Sequence, residues 1–280
     1  MLKKALTLLL FISSFSALAQ KQSALPYTQR GMFYFYWGWN WSSYTKSDIH
    51  FTGNDHDFTL FDVVGTDRPS RFTFDNYFSP FGMTTPQFNA RFAYFFKDNW
   101  ELSFGTDHMK YVAKKLQTVK ITGEFEKNGS MESYTNEDIR LTYDFLQYEH
   151  TDGLNYVNFG LRRVFNLIDG KSIDLNIIPG FEAALILPRS DVTLLGKERS
   201  DRYHLSGYGM NLTGALNITF FDKYFIQSEL KGGYVNLPKV LTSFEGDTAS
   251  QDFFFSQINI VLGAYFHMFR RNRNKKPTSN

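Results

Sequence analysis

The chain has 280 residues, enough for one large domain or two small ones, and its lack of cysteine excludes disulfide scaffolds, zinc ribbons and thiol catalysis. A net charge of +2, with 42% hydrophobic and 21% charged residues, excludes a disordered chain and a polyanion-binding protein. Aromatic residues make up 18% of the chain while the mean hydropathy is −0.33, which indicates either a ring-rich binding surface or strands with one apolar face.

The first residues have the pattern of a secretory signal. Lys3 and Lys4 precede an apolar run, and Ala17-Leu18-Ala19 supplies the small residues of a cleavage site before Gln20. The apolar run is too short to cross about 30 Å of hydrocarbon as a helix. We therefore predict a cleaved signal peptide over residues 1–19, followed by an N-terminal periplasmic segment over residues 20–30.

From residue 31 onward, apolar and polar residues alternate with the period of two that is typical of β-strands. In the first run Phe33 and Phe35 fall on one face, and Tyr34 and Tyr36 fall on the other. The eight runs of this kind cover residues 31–42, 87–97, 100–107, 157–165, 173–185, 210–220, 226–234 and 257–268. Runs of about ten residues can cross a bilayer when tilted. The pattern predicts an all-β fold, a transmembrane antiparallel up-and-down β-barrel over residues 31–269.

The connections between the runs alternate between short and long. The short ones, at residues 97–99, 169–171 and 221–223, carry the Asp, Asn or Gly that tight turns use. The long ones cover residues 43–86, 113–152, 188–205 and 238–252. This alternation predicts short periplasmic turns at one end of the barrel and long external loops at the other. A predicted hairpin of residues 119–125 with residues 140–148 leaves ten strands as an alternative to eight.

Charged residues occupy the polar faces of the predicted strands. A cation that faces lipid at the membrane midplane costs about 2–4 kcal/mol, so we expect these side chains to point into the barrel. The interior of an eight-stranded barrel is about wide enough for side chains to fill, which favours a packed plug over a pore. The predicted polar network of the lumen consists of Arg91, Glu101, Asp107, Arg162, Asp174, Glu182, Glu229 and Lys231.

The tryptophans predict the two membrane interfaces, because rings with polar edges collect at the level of the lipid headgroups. Trp100 directly follows a tight turn and is expected near the periplasm. Trp37, Trp39 and Trp41 lie where the first long connection begins and are expected near the exterior. Packing against lipid is therefore favoured over a carbohydrate-binding role for these rings.

The last run, from Gln257 to Phe269, is similar to the carboxy-terminal recognition signal of outer-membrane barrels, with Gly263, Phe266 and Met268 in the expected order. With the signal peptide, the eight runs and the loop asymmetry, the chain resembles small Gram-negative outer-membrane β-barrel proteins of the OmpA, OmpX or OmpW type, and it looks like barrels from Bacteroidota. The resemblance implies a location in the outer membrane, contact with outer-membrane lipid and lipopolysaccharide, and insertion by the barrel-assembly machinery. It implies no cofactor and no nucleic acid. A basic tail over residues 270–280 follows the last strand.

One pair of residues leaves an enzymatic alternative open. Some barrels of this type, the lipid A deacylases, carry a His-x-Ser pair on their lipid-facing side, and His204 and Ser206 resemble that pair. Strand parity places both in line with Met210, hence outward. A serine nucleophile needs a base and a group that orients the base, and Gly207 stands where that family has Asn. A histidine at the edge of a loop is the structural alternative.

Histidine and acidic residues also cluster in the first long connection, at Asp48, His50, Asp55, His56 and Asp57. Their oxygen and imidazole groups could bind a cation, but their spacing matches no EF-hand or zincin motif. A solvated loop is favoured, and no metal site is predicted.

Three function classes remain open. The favoured one is a non-enzymatic outer-membrane barrel whose external loops serve binding or envelope integrity, because loops on a rigid scaffold commonly carry recognition. The alternatives are a lipid A-modifying acyl hydrolase that uses His204 and Ser206, and a small pore. The sequence indicates no external ligand.

Overall fold

The computed structural model describes residues 24–69, 87–197 and 202–268, and in these ranges the regular structure is entirely β. No helix in this part of the chain has the length and apolar character of a membrane span. The predicted signal peptide and the basic tail lie outside the described residues.

The strands, in chain order, are β1 (Phe33–Tyr44), β2 (Ser47–Thr52), β3 (His56–Val63), β4 (Gly65–Thr66), β5 (Phe88–Lys97), β6 (Trp100–Ala113), β7 (Thr118–Lys127), β8 (Ser130–Arg140), β9 (Leu146–Arg163), β10 (Phe165–Ile168), β11 (Ile173–Pro188), β12 (Asp191–Leu194), β13 (Gly207–Phe220), β14 (Tyr224–Leu241) and β15 (Thr248–Phe266).

Eight of these strands form a closed antiparallel ring in the order β1, β5, β6, β9, β11, β13, β14 and β15. Pairing of β1 with β15, from Phe33 opposite Phe266 to Tyr44 opposite Phe255, closes the sheet. Closure satisfies the backbone hydrogen bonds of both edges, which a strand structure in lipid requires. The prediction of an eight-stranded up-and-down barrel is confirmed, and the ten-stranded alternative is wrong because β7 and β8 pair outside the ring.

One end of the barrel carries tight turns. Phe221 and Asp222 connect β13 to β14 with φ angles of 53° and 55°, and positive φ at both central residues is the mark of the hairpin turn that matches strand twist. Asn99, with a φ of 62°, lies in the tight turn that connects β5 to β6. Asp and Asn tolerate this backbone region better than most residues, which is why the sequence predicted these turns.

The wall of the barrel is apolar outside and polar inside. Phe159, Leu212 and Leu230 are 59%, 68% and 62% exposed on the outer face. Arg91 and Glu182, which project inward, are 1% and 0% exposed. A soluble barrel has the opposite polarity, so the burial pattern follows the alternation of the sequence and indicates a wall that faces hydrocarbon.

Beyond the wall, at the end opposite the tight turns, the sheet continues into an external extension. The outer part of β15 pairs with β2, and the sheet runs on through β3 and β7 to β8. Its inner face meets the outer parts of β6, β9 and β14 in an apolar cluster in which Phe51, Phe58, Leu60, Ile121 and Phe253 are 2% exposed or less. The interior of the barrel thus changes from polar within the wall to apolar above it.

The other end of the barrel is filled by the segment that precedes β1. Tyr27 is fully buried, and its ring centroid lies 4.7 Å from that of Tyr265. The amide of Gly31 donates to the carbonyl of Phe95, which fixes the segment to β5. Residues 20–30 are predicted to be a periplasmic segment, and no local pattern in the sequence indicates that residues 24–32 fold into the barrel end.

The hairpin predicted in the second long connection has a different second arm. Residues 118–127 pair with residues 130–140 and not with residues 140–148. The reason is the two-residue turn Asn128-Gly129, whose φ angles are 53° and 81°. An Asn-Gly pair is a strong hairpin signal, so the correct partner was readable from the sequence.

Candidate functional site

Six of the eight predicted lumen residues form one connected network of ion pairs inside the barrel. The Lys231 ammonium lies 2.7 Å from Asp107 Oδ2 and 3.1 Å from Glu182 Oε2. The Arg91 guanidinium lies 2.7 Å from the other carboxylate oxygen of Glu182. Arg162 bridges Glu182 and Glu229, with 2.6 Å between its Nη1 and Glu229 Oε1. All these side chains are buried, so the network fills the middle of the lumen.

Neutral side chains add hydrogen bonds to this network. The Tyr36 hydroxyl donates to Glu229 over 3.0 Å and accepts from Arg91 Nε over 2.8 Å. Asn211 donates to Glu182, and Gln227 donates to Glu229. Buried charges are tolerated when their remaining donors and acceptors are paired in this way.

The other two predicted residues make none of these ion pairs, although Glu101 lies opposite Arg162 in the sheet. Glu101 accepts a hydrogen bond of 2.6 Å from the Tyr34 hydroxyl. Asp174 accepts from the Tyr27 hydroxyl and from the backbone amide of Gly170, so it holds the N-terminal segment against the turn between β10 and β11. Alternation alone indicated that all eight point inward and could not indicate which of them meet.

His204 and Ser206 are neighbours, but the predicted outward orientation of Ser206 is wrong. The His204 Nδ1 and Ser206 Oγ lie 3.2 Å apart, and Ser206 is only 2% exposed, whereas Met210 is 49% exposed. Tyr203 pairs with Arg189 and Gly207 pairs with Ile186, so one extra residue lies on this side of the ladder. A bulge of this kind reverses the parity of the side chains beyond it. Among the described residues, His204 makes no hydrogen bond to a carboxylate.

The tryptophans lie on the outer face of the wall. Trp41 is 44% exposed near the outer end of β1, and the ring centroids of Trp37 and Trp39 lie 5.0 Å apart. Trp100 follows the tight turn at the opposite end, with the Arg163 guanidinium 5.2 Å from its ring centroid. Their placement at two membrane interfaces stays a prediction.

The histidine and acidic cluster of the first long connection lies in the external extension. His50 and Asp57 contact each other at the surface over 2.8 Å. Asp55, His56 and Asp247 carry possible ligand atoms within 4.8 Å of one another. The Lys197 ammonium lies 2.6 Å from Asp55 and 2.8 Å from Asp247. The positive charge at this cluster therefore comes from a lysine side chain.

This contact with Lys197 ties three external connections together, because Asp55, Lys197 and Asp247 follow β2, β12 and β14 respectively. Partial burial raises the pKa of Asp55, but hydrogen bonds from Lys197 and His56 outweigh it and lower the pKa below its ordinary value. Burial lowers the pKa of Lys197, while its bonds to Asp247 and Asp55 more than offset this and raise it. Both groups therefore stay charged at neutral pH.

The last strand of the external extension, β8, presents an edge. Among the described strands, β8 pairs with β7 alone. Its side chains are mostly exposed, and they include Glu132, Glu137 and Asp138. No local sequence pattern predicts this edge, because exposure of a strand edge depends on which strands are its neighbours.

The chain has no match among protein-family models or curated proteins. It is similar to the outer membrane protein OprG from Pseudomonas aeruginosa, with 9% identity, a TM-score of 0.38, and coverage of 85% of this chain and 97% of that one. It is similar to the outer membrane protein AlkL in DMPC bilayers, with 9% identity, a TM-score of 0.39, and coverage of 88% and 95%. It is also similar to Ail, the attachment invasion locus protein of Yersinia pestis, with 12% identity, a TM-score of 0.30, and coverage of 85% of this chain and 100% of that one. At these identities and TM-scores the likeness indicates nothing about activity, and the barrel assignment follows from the closed sheet itself.

Proposed function

We propose that this protein is an outer-membrane β-barrel that displays an external β-sheet as a binding platform, and that an extended segment of a partner polypeptide adds to it at β8. The apolar outer wall supports the membrane location, since exposed apolar surface of this extent is costly in water. The single observation that carries the binding proposal is the edge of β8, which pairs with no strand other than β7 within residues 24–69, 87–197 and 202–268.

Hairpin geometry indicates which backbone groups point away from the sheet. Lys127 and Ser130 flank the two-residue turn, so they form the first hydrogen-bonded pair of the ladder. The next pair, Glu126 with Met131, is therefore not hydrogen-bonded, and neither is Glu124 with Ser133, so Met131 and Ser133 direct their N–H and C=O groups outward. Such unpaired groups are a template for strand addition by another chain.

The edge is held in place before any partner arrives. The rings of Phe125 on β7 and Tyr134 on β8 stack with centroids 4.9 Å apart and an interplanar angle of 3°. Phe125 also packs against Phe58 and Phe145 at the external apolar cluster. A preformed edge reduces the ordering cost that would oppose binding.

The charge of β8 indicates the chemistry of the partner. The hydrogen bond from the Tyr134 hydroxyl, 2.6 Å from Glu132, lowers the pKa of Glu132, and it raises the pKa of Tyr134 to about 12. Glu132 is therefore ionised at neutral pH. With Glu137 and Asp138 it outnumbers the one cation of β8, Arg140, while Lys127 and Lys120 on β7 contact Glu132 and Asp138. We infer a basic, extended segment, since complementary charge steers association and excludes acidic partners.

The test uses the full-length protein in detergent and two fluorescent peptides of about ten residues, a typical strand length, one alternating Thr with Lys and the other Thr with Glu. Fluorescence anisotropy should show binding of the Lys peptide only. Ser133→Pro blocks the free edge without removing a β7 hydrogen bond, so it should weaken binding at least about tenfold, while Ser133→Ala should bind as the wild type does. Equal binding by the Pro variant, or by the Glu peptide, would refute the proposal.

The two alternatives receive less support from the described residues. A pore would have to pass the ion-pair network and the N-terminal segment around Tyr27. An acyl hydrolase would have to expose Ser206, which is buried.

A further inference from the structure

Three side chains with metal-binding atoms converge in the external extension from two distant parts of the chain. Asp55 and His56 lie at the turn between β2 and β3, and Asp247 directly precedes β15. One oxygen of each carboxylate and one nitrogen of the imidazole lie within 4.8 Å of one another. The spacing of Asp55 and His56 matches no metal motif, because the third residue reaches them only through the fold. We refer to Asp55, His56 and Asp247 as the ligand cluster.

The ligand cluster contains a buried imidazole with an unused nitrogen. The His56 side chain is fully buried, and its Nδ1 lies 2.8 Å from Asp55 Oδ1. Its Nε2 is buried and makes no hydrogen bond within the part of the chain that the structure describes. A buried nitrogen without a partner is costly, and a bound ion is one of the arrangements that remove this cost.

The turn between β2 and β3 is shaped to bring the imidazole and the distant carboxylate together. A Cβ atom at position 53 would collide with His56 Cε1 and with Asp247 Oδ1. Gly53 has no Cβ, so the ring and the carboxylate can approach each other over the backbone of the turn. The carboxylate itself is held by its own connection, in which the amide of Thr242 donates to the carbonyl of Asp247.

A cation of the chain itself marks the place where an ion would bind. The Lys197 ammonium lies 2.6 Å from Asp55 Oδ1 and 2.8 Å from Asp247 Oδ2. Among the described residues it contacts these two carboxylates and not the imidazole. Lys197 therefore uses the oxygen ligands of the cluster and leaves the nitrogen ligand to an ion that has affinity for it.

The donor set indicates which kind of ion this is. Imidazole nitrogen suits zinc and similar transition metals, whereas calcium and magnesium take oxygen ligands. Zinc sites with three protein ligands complete their coordination with water. Zinc–oxygen distances of about 2.0–2.2 Å are shorter than both ammonium–oxygen distances, so each carboxylate oxygen would move inward by less than about 1 Å.

The ligand cluster can be reached from solvent on one side. The side chains of Asp55 and Lys197 are 32% and 21% exposed, while that of Asp247 is 4% exposed. An ion can therefore enter past Asp55, with His56 and Asp247 as the buried floor of the site. Lys197 has a long, partly exposed side chain, so its ammonium can move into water when the ion arrives.

We propose that Asp55, His56 and Asp247 form a binding site for zinc or a similar divalent transition-metal ion, and that the ion displaces the Lys197 ammonium. The bound ion then links the turn after β2 to the connection before β15, while the connection after β12 is released from both. This inference goes beyond the proposed function and depends neither on the membrane location nor on the β8 edge.

The affinity test uses isothermal titration calorimetry of the full-length protein in detergent with zinc chloride. Lys197→Met removes the competing ammonium, so it should bind zinc at least about tenfold more tightly than the wild type does. Lys197→Met/Asp247→Asn lacks one ligand and should lose at least about tenfold of that affinity. Calcium at the same concentration should not compete.

A matched control addresses zinc bound elsewhere on the surface. His50 lies on the same hairpin and forms a similar contact, 2.8 Å from Asp57, at an exposed position. Lys197→Met/His50→Gln should therefore bind zinc as Lys197→Met does. Loss of affinity in this control that equals the loss in Lys197→Met/Asp247→Asn would overturn the assignment to the ligand cluster.

A second measurement follows displacement in the wild type and needs no variant. Acetylation of Lys197 by an amine reagent, read by mass spectrometry, should increase when zinc is added and not when calcium is added. Acetylation of Lys46, which is exposed, should stay constant. Equal zinc affinity of the wild type and Lys197→Met, or unchanged acetylation of Lys197 at saturating zinc, would overturn the proposal.

Discussion

Lys231 and Asp107 form an ion pair of 2.7 Å across the full width of the barrel. Their strands, β14 and β6, lie on opposite sides of the ring, with three strands between them in either direction. Both side chains are 1% exposed or less. The pair therefore connects opposite walls of the lumen, and it can form only when the sheet is closed.

Replacement of Lys231 by Met should destabilise the barrel strongly. The change leaves Asp107 and Glu182 without a cation that both contact, and loss of one member of a buried pair typically costs about 3–5 kcal/mol. Urea unfolding of the protein in lipid vesicles measures this change in the free energy of unfolding.

A second variant and a control test the cause of the loss. Lys231→Met/Asp107→Asn should recover part of the lost stability. Lys120→Met, which breaks the exposed pair with Asp138, is the control and should cost less than about 1 kcal/mol. Equal effects of Lys231→Met and Lys120→Met would contradict the structure.

The lumen should not conduct ions. The ion-pair network fills its centre, and Tyr27 with its neighbours fills one end. We expect no reproducible unitary conductance from the purified protein in a planar bilayer, either for the wild type or for Tyr27→Ala. Unitary currents that change on substitution of Arg91 or Glu229 would show that the network lines a pathway.

The external extension should lose stability in mild acid because of His150. This residue is fully buried, its Nδ1 lies 2.8 Å from Ser190 Oγ, and burial lowers its pKa to about 3. Unfolded His titrates near pH 6.5, so unfolding takes up a proton below that pH. Stability is complete above about pH 6.5 and falls as the pH drops toward 3. Amide hydrogen exchange of β9 and β12, measured between pH 6.5 and 3, reports this loss of stability.

The same experiment has an internal control. His150→Phe should flatten the profile between pH 6.5 and 4, whereas His50→Phe, at an exposed position, should leave it unchanged. Asp55, with its lowered pKa, adds a loss of stability only at lower pH. An unchanged profile in His150→Phe would show that another group causes the acid sensitivity.

Lys197→Met should loosen the external connections and leave the barrel intact. The change removes the contact to Asp55, which is partly exposed, and the contact to Asp247, which is buried. We expect about 0.2–1 kcal/mol for the Asp55 contact and a larger cost for Asp247, because a buried carboxylate is left without its cation. Limited proteolysis should become faster at the turns after β2 and β14, and high salt should reduce the difference from the wild type. Lys127→Met, which breaks only a surface contact with Glu132, is the control. Equal proteolysis of the two variants would contradict a role for Lys197 in tying the connections.

Ser206→Ala should not alter lipid A acylation in cells. The Ser206 hydroxyl is buried and donates to the carbonyl of His204, and an exposed nucleophile would be needed to meet an acyl chain. Mass spectrometry of lipid A from cells with the wild type, the variant and no protein measures this. Removal of an acyl chain by the wild type and not by the variant would establish the hydrolase instead.

The predictions that the structure corrects have different physical origins. The alternation of apolar and polar residues predicts side-chain direction only while the strand stays regular. The bulge between Tyr203 and Gly207 interrupts the strand, so the predicted outward direction of Ser206 is wrong. The second arm of the β7–β8 hairpin was misplaced because the Asn128-Gly129 turn was overlooked, although that signal was local. The burial of Tyr27 could not be predicted, because the segment before β1 has no alternation and acquires partners only from distant strands.

The sequence by itself determined the eight strands, the side of each that faces lipid, the tight turns and the inward direction of the charged residues. Those features depend on the order of neighbouring residues and on the cost of placing charge in hydrocarbon. The tertiary structure decided which charges pair, which residues close the barrel end, and where the β8 edge forms. These depend on closure and register, which bring together residues such as Lys231 and Asp107 that no local pattern connects.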